Sequence, residues 1–394
     1  MSVPEANDIP GDRGPLWATE PFRIFFPLGL VAAVFGLLLW PLHYAGWWEV
    51  YPAIQHPRIL ILGFGAAFVF GFLGTAWPRS TGTPPLRSAE IAVLAAAWLA
   101  GQSSFAAGAI TWGDGFATAS CLSLVIMLGI RWVTARDRAS PAVLLPLLHL
   151  WFVSAVLLCW ATGLASQSVR GQTLLRLLVY QGFLLIPLFG AGAIIFPGIL
   201  DRSAASRGRC TMILIPVVFA ILLSFAIEAW GMMRLGNGIR FAAILAWAFG
   251  PVAMPGRDRA SGTRPWALRM AWAMIASGFA CRIIWPQQVF AFEHFLFLGG
   301  FSQLMLLAAD RFAVEYDRGQ ESVSTQSVRW RWIVWLMVLT AATRATADLV
   351  PATRVSHHIY AAVMLVGILV LWWAENAVRI CGGKPSTGRP GSGE

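Results

Sequence analysis

Twelve apolar runs, each close to the length of a bilayer crossing, constrain this chain more than any other feature. A membrane-spanning helix takes about 20 residues. The runs cover residues 24–42, 59–77, 89–110, 116–133, 142–161, 177–199, 212–230, 239–254, 266–284, 289–309, 332–350 and 358–378. Windows this long and apolar read as helices rather than buried strands, because a helix in lipid satisfies its own backbone. The eighth run is the weakest, being short and interrupted by Gly250 and Pro251. Together the runs use most of the 394 residues and leave no sizeable soluble domain. Only 12% of residues are charged, against roughly 25% in a soluble domain, so a soluble enzyme is excluded. Five cysteines are too few, and odd in number, for a disulfide scaffold.

Arginine placement tests the count. Every basic residue except Lys384 is arginine. Twenty basic residues fall in the N-tail, the even-numbered loops and the C-tail, and only Arg58, Arg170, Arg234 and Arg354 fall in the odd loops. One missed span would invert this alternation downstream. It follows the positive-inside rule and puts both termini in the cytoplasm. The net charge of +10 is therefore topological, and no nucleic-acid partner is expected. The sequence divides into a cytoplasmic N-tail (1–23), an all-α membrane domain of twelve helices in one bundle (24–380), and a Gly/Pro/Ser-rich C-tail (381–394) expected to be disordered. The polar N-tail carries no cleaved signal peptide by its pattern. No convincing repeat is visible, apart from an echo between His56 with Gly63-Phe64 and His294 with Gly300-Phe301.

The topology gives depths to the six histidines. His43, His56, His357 and His358 fall at outer helix ends, His294 about a turn inside, and His149 near mid-membrane. Ionisable groups at membrane depth are costly and point to function. Two neutral imidazoles on facing helices can sandwich a haem. The plain alternative is that a histidine at a helix end is an interfacial polar residue. Glu228, Arg282, Glu293, Arg344 and Asp348 also gather in the outer half. Arg344 and Asp348, spaced i,i+4, can pair along one face. These charges either neutralise one another or bind an anion, and Arg282 and Arg344 suit haem propionates. There is no CxxCH, no paired CxxC, no P-loop and no dinucleotide fingerprint.

Several segments resemble the NnrS family. Phe22-Arg23-Ile24-Phe25-Phe26 is similar to its opening motif. The run from His56 through Gly63-Phe64, Gly71-Phe72-Leu73-Gly74-Thr75-Ala76 and Pro78 to Thr81-Gly82-Thr83-Pro84-Pro85-Leu86 resembles its second helix and following loop. Residues 186–197 resemble its sixth helix, and His294 through Arg311 its tenth. The resemblance implies a multi-pass protein of the bacterial inner membrane carrying haem and copper. It also implies a link to nitric oxide, denitrification and protection from nitrosative stress. His56 and His294 match two of the family's histidines as metal ligands. Arg58, Ile59 and Tyr316 stand where the family has histidine, glutamate and histidine. A bis-histidine haem needs only two imidazoles, whereas copper usually wants about three donors. The expectation is therefore haem b between His56 and His294 with copper doubtful. His149, His357 or His358 is open as a substitute ligand, and so is loss of all cofactor. A diatomic ligand such as nitric oxide is the expected small partner, and the redox partner is unknown. Two rival readings stand beside it: a secondary transporter using Arg344, Asp348, Glu228 and Arg282 with a helix break at Gly250-Pro251, and a cofactor-free scaffold.

Overall fold

The computed structural model describes residues 20–135, 141–164, 168–200, 207–250, 262–316 and 327–382, with side chains except at 141, 207 and 208. Among these no strand occurs, and twelve helical rods follow one another. They are α1 (Phe22–Tyr44), α2 (Gln55–Thr81), α3 (Ser88–Ala106), α4 (Ile110–Val133), α5 (Pro141–Ala161), α6 (Val169–Ile199), α7 (Arg207–Ala229), α8 (Met233–Phe249), α9 (Thr263–Ile284), α10 (Val289–Glu315), α11 (Val328–Leu349) and α12 (Arg354–Cys381). Ten of the twelve are long and apolar enough to cross a membrane; α8 and α11 are the two that are not. The protein is an all-α, multi-pass membrane protein.

The eighth rod corrects the sequence reading. It begins six residues earlier than expected, at Met233, and ends at Phe249, before Gly250 and Pro251. Its first turns carry Asn237, which lies outside the apolar run, and Arg240, which lies just inside it. Both are wholly buried, so it is partners rather than lipid that let this stretch be helical.

The start of α1 and the end of α12 lie at one end of the bundle, as an even number of crossings requires. Arg23 at the start of α1 donates to the carbonyls of Arg379 (2.6 Å) and Ile380 (2.9 Å) at the end of α12. At the opposite end Tyr44 Oη lies 2.7 Å from His358 Nδ1, joining the end of α1 to the start of α12. The arginine distribution makes the first end cytoplasmic and the second outer.

A repeat that the sequence hides appears in the packing. α1 packs on α2, α5 on α6, and α9 on α10. α3 packs on α4, α7 on α8, and α11 on α12. α4 meets α5, α8 meets α9, and α12 closes the ring on α1. The pattern recurs every four helices, and the second helix of each unit faces inward, so that α2, α6 and α10 touch one another. Each of these three carries a π-helical segment, at Ile59–Gly65, Leu178–Gly182 and Phe295–Ser302. Each segment holds or abuts a Gly-Phe pair: Gly63-Phe64, Gly182-Phe183 and Gly300-Phe301. The echo between His56 and His294 is thus two parts of a threefold pattern. In the middle unit Arg176 takes the corresponding place, six residues before its Gly-Phe pair. Wide π turns recur at functional positions, and here one begins directly after His294 and another three residues after His56.

Close approach between rods is made by glycine. A Cβ at Gly190 of α6 would lie 2.1 Å from the Ala142 carbonyl and 2.6 Å from Pro146 of α5. Neither can yield, being backbone and a proline ring. Gly190→Leu is expected to prevent the α5–α6 contact, and the check is loss of the monodisperse peak on size exclusion in detergent. Gly238→Leu, with open space around it, should leave that peak intact.

Candidate functional site

The outer end holds two adjoining polar clusters. The first is built on histidine. His56 lies in the first turn of α2, and its Nδ1 donates to the Gly36 carbonyl of α1 at 2.9 Å. His294 lies on α10 directly before the π segment, and its Nδ1 donates to the Phe290 carbonyl at 2.6 Å. A carbonyl has no hydrogen to give, so the proton sits on Nδ1 in both rings. Each neutral ring then presents a lone pair at Nε2. Among the described residues nothing hydrogen-bonds either Nε2. This is the posture of a metal-ligating imidazole, with the second nitrogen fixed by a backbone acceptor.

His358 completes the group. It is buried, with Nδ1 against Tyr44 and an Nε2 that finds no partner. His294 lies within electrostatic reach of Arg344, His56 and His358. The Trp40 ring centroid is 6.2 Å from His56 and 5.0 Å from His358. Arg344 pairs with Asp348 at 2.7 Å, as their spacing predicts. The remaining histidines stand apart. His43 and His357 bond the local carbonyls of Trp48 and Thr353. His149 of α5 is buried deep in the membrane, its ring against Gly182 of α6, with Nε2 unpartnered.

The second cluster is ionic, and its members come from five helices. Arg282 of α9 reaches Glu228 of α7 at 2.8 Å and Glu293 of α10 at 3.2 Å. Arg240 of α8 pairs with Glu228 and donates to Gln181 of α6 at 2.6 Å. Gln181 donates onward to Glu293 at 3.1 Å, and Asn237 to Glu228 at 3.3 Å. Arg176, whose side chain is about one-third exposed, reaches Glu293 at 3.8 Å. Three arginines face two carboxylates, so the cluster keeps one surplus positive charge in low dielectric. The two terminal nitrogens of Arg282 are taken by glutamates while its buried Nε finds no partner, which leaves Arg344 as the arginine beside the histidines. Beside both clusters Arg58 of α2 makes a two-pronged pair with Asp114 of α4, at 2.8 and 3.0 Å, and lies 3.4 Å from Tyr180.

The NnrS family model matches residues 15–381. The chain belongs to the NnrS family. No curated protein matches it significantly. The two positions where this NnrS protein lacks the expected histidines now have a physical description. Arg58 is neutralised by Asp114 and offers no donor electron pair. Tyr316 lies at the cytoplasmic end, its ring 4.4 Å from Phe312 and under the Arg79 guanidinium at 3.8 Å. Burial pushes its phenol up to about 12, so it stays neutral. A histidine at that position could not join His56 and His294, which lie across the membrane. Among the described residues no three His, Cys, Asp or Glu side chains form a group able to hold a metal ion.

Sequence reasoning singled out His56, His294, Arg344 and Asp348, and the structure brings these four to one end of the bundle, the first three within electrostatic reach of one another. It did not find Asp114, Gln181, Asn237 or Arg240 as network members. The available signal was their place at the outer mouths of helices, where polar groups in apolar chains need partners.

Proposed function

We propose that this NnrS protein serves nitric oxide metabolism or protection from nitrosative stress in the bacterial inner membrane, and that His56 of α2 and His294 of α10 would hold haem b in its outer half. The observation that carries the reading is the shared posture of the two imidazoles. They sit on two of the three central helices, each with Nδ1 tied to a carbonyl and Nε2 available. A haem needs no more from the protein than one or two such nitrogens. Arg344 would meet a propionate, since Asp348 engages it through one nitrogen only, unlike the two-pronged pair of Arg58. When bound, haem would supply reversible iron chemistry and a site for a diatomic ligand. The chain would fix the planes of the two imidazoles, exclude water with Trp40, and offer the Arg344 guanidinium to a carboxylate of the bound group. Copper fits the residues poorly. Position 58 offers a guanidinium and position 316 lies at the other end, so a three-donor set is lacking.

The test is a visible spectrum of the detergent-purified protein, oxidised and dithionite-reduced, with a pyridine haemochrome assay and metal analysis. A Soret band with about one iron per chain supports the reading. A colourless, iron-free protein from cells supplied with haem precursor sinks it. Transport by Arg344, Asp348, Glu228 and Arg282 would then be the better reading. The buried pairing of Arg282 and Glu228 with each other speaks for a structural use of that cluster.

A further inference from the structure

A partly open apolar pocket lies among the three inward-facing helices and α1. It is lined by Phe26 of α1, Phe68 and Phe72 of α2, Leu188 and its neighbours on α6, and Phe301 and Met305 of α10, and it measures about 60 Å³. All three π-bearing helices contribute to it. No side chain on its wall has a hydrogen-bonding group stronger than the Met305 thioether. A water needs two to four polar partners to occupy a cavity, and voids lined by carbon stay dry. The occupant must therefore be apolar. Size limits it further. On this scale one water takes roughly 10–15 Å³, whereas pockets for drug-sized ligands run to about 300–1,000 Å³. The space suits one or two diatomic molecules and is far too small for a porphyrin.

Its position also matters. Phe301 belongs to the π segment that follows His294, about 10 Å of helix rise from that imidazole. Phe68 stacks on Phe26 at 4.5 Å and touches Phe64, which sits in the π segment following His56, at 4.9 Å. Both candidate ligand helices thus run from an imidazole through a π turn to the wall of the pocket. An uncharged diatomic gas dissolves better in hydrocarbon than in water, so it concentrates in the bilayer around these helices.

We propose that the pocket between α1, α2, α6 and α10 is a docking site for a small apolar gas, a holding point between the lipid and the histidine site. The link to haem rests on the function proposed above; the binding of gas does not. The test therefore begins with xenon, an apolar probe of similar size, applied under pressure to crystals of the full-length protein. The expected result is one anomalous peak inside the pocket. In Ala191→Leu/Ala308→Leu, where two lining alanines gain bulk, the peak should vanish. Ala95→Leu, on the third helix and away from the pocket, should keep it. A wild-type pocket without xenon, or a peak unchanged in the filled variant, overturns the proposal whatever the haem content. Should the filled variant fail to fold, the wild-type peak alone decides. In haem-loaded protein the filled variant should also change the fraction of nitric oxide that rebinds directly after photolysis, at least twofold, with its Soret band unmoved. An unmoved fraction alongside bound xenon would overturn the holding-point role.

Discussion

Alanine at His56 or at His294 should lower haem content by roughly tenfold or more, since loss even of groups that merely orient a metal ligand costs about 10–100-fold. His43→Ala and His357→Ala should leave it unchanged. All four histidines bond a carbonyl through Nδ1, so the tautomer alone does not separate them. What separates them is placement. His56 and His294 stand on α2 and α10, which meet at the centre of the bundle, and lie within electrostatic reach of one another. His43 and His357 bond the local chain and join no such group. The measurement is haem per chain by pyridine haemochrome, on protein whose thermal unfolding in detergent matches the wild type. Equal pigment in all four variants would remove both assignments. Loss only with His358→Ala would move the axial ligand to the imidazole held by Tyr44.

The sequence showed the architecture well and the repeat poorly, for one reason. Hydropathy and arginine alternation report on contact with lipid and on the sides of the membrane, and these shape every rod's length and direction. They are silent about which rods meet inside. The threefold order is carried by π turns and Gly-Phe pairs whose spacing to the polar residue differs between His56 and His294, so no fixed period betrays it. The same limit applied at α8. Hydropathy placed Met233 through Gly238 outside the span, yet Asn237 is helical because Glu228 satisfies it. The histidines were legible because a titratable ring at membrane depth is costly wherever it faces. The identity of their neighbours was not.

Glu228→Gln should be the most destabilising single change among these polar residues. Its carboxylate is buried and accepts from Arg240, Arg282 and Asn237. The wild-type cluster already has one positive charge more than its carboxylates balance. The variant would leave two, with Arg240 and Arg282 still fully buried. Breaking a buried pair from one side costs about 3–5 kcal/mol, because the abandoned charge cannot reach water. Arg240→Gln combined with Glu228→Gln returns the surplus to one and should recover a large part of that loss. The difference between the double variant and the summed singles then measures the coupling. Arg329→Gln is the contrast. Arg329 meets Glu375 at 3.1 Å, but its side chain is half-exposed, and such pairs contribute about 0–1 kcal/mol. Unfolding followed by circular dichroism as helix is lost to added denaturing detergent ranks the wild type, the two single variants, the double variant and Arg329→Gln. If Glu228→Gln unfolds together with the wild type, the arginines must be reaching water or a bound anion, and the cluster would have to be read as a binding site rather than as the bond between α7, α8, α9 and α10.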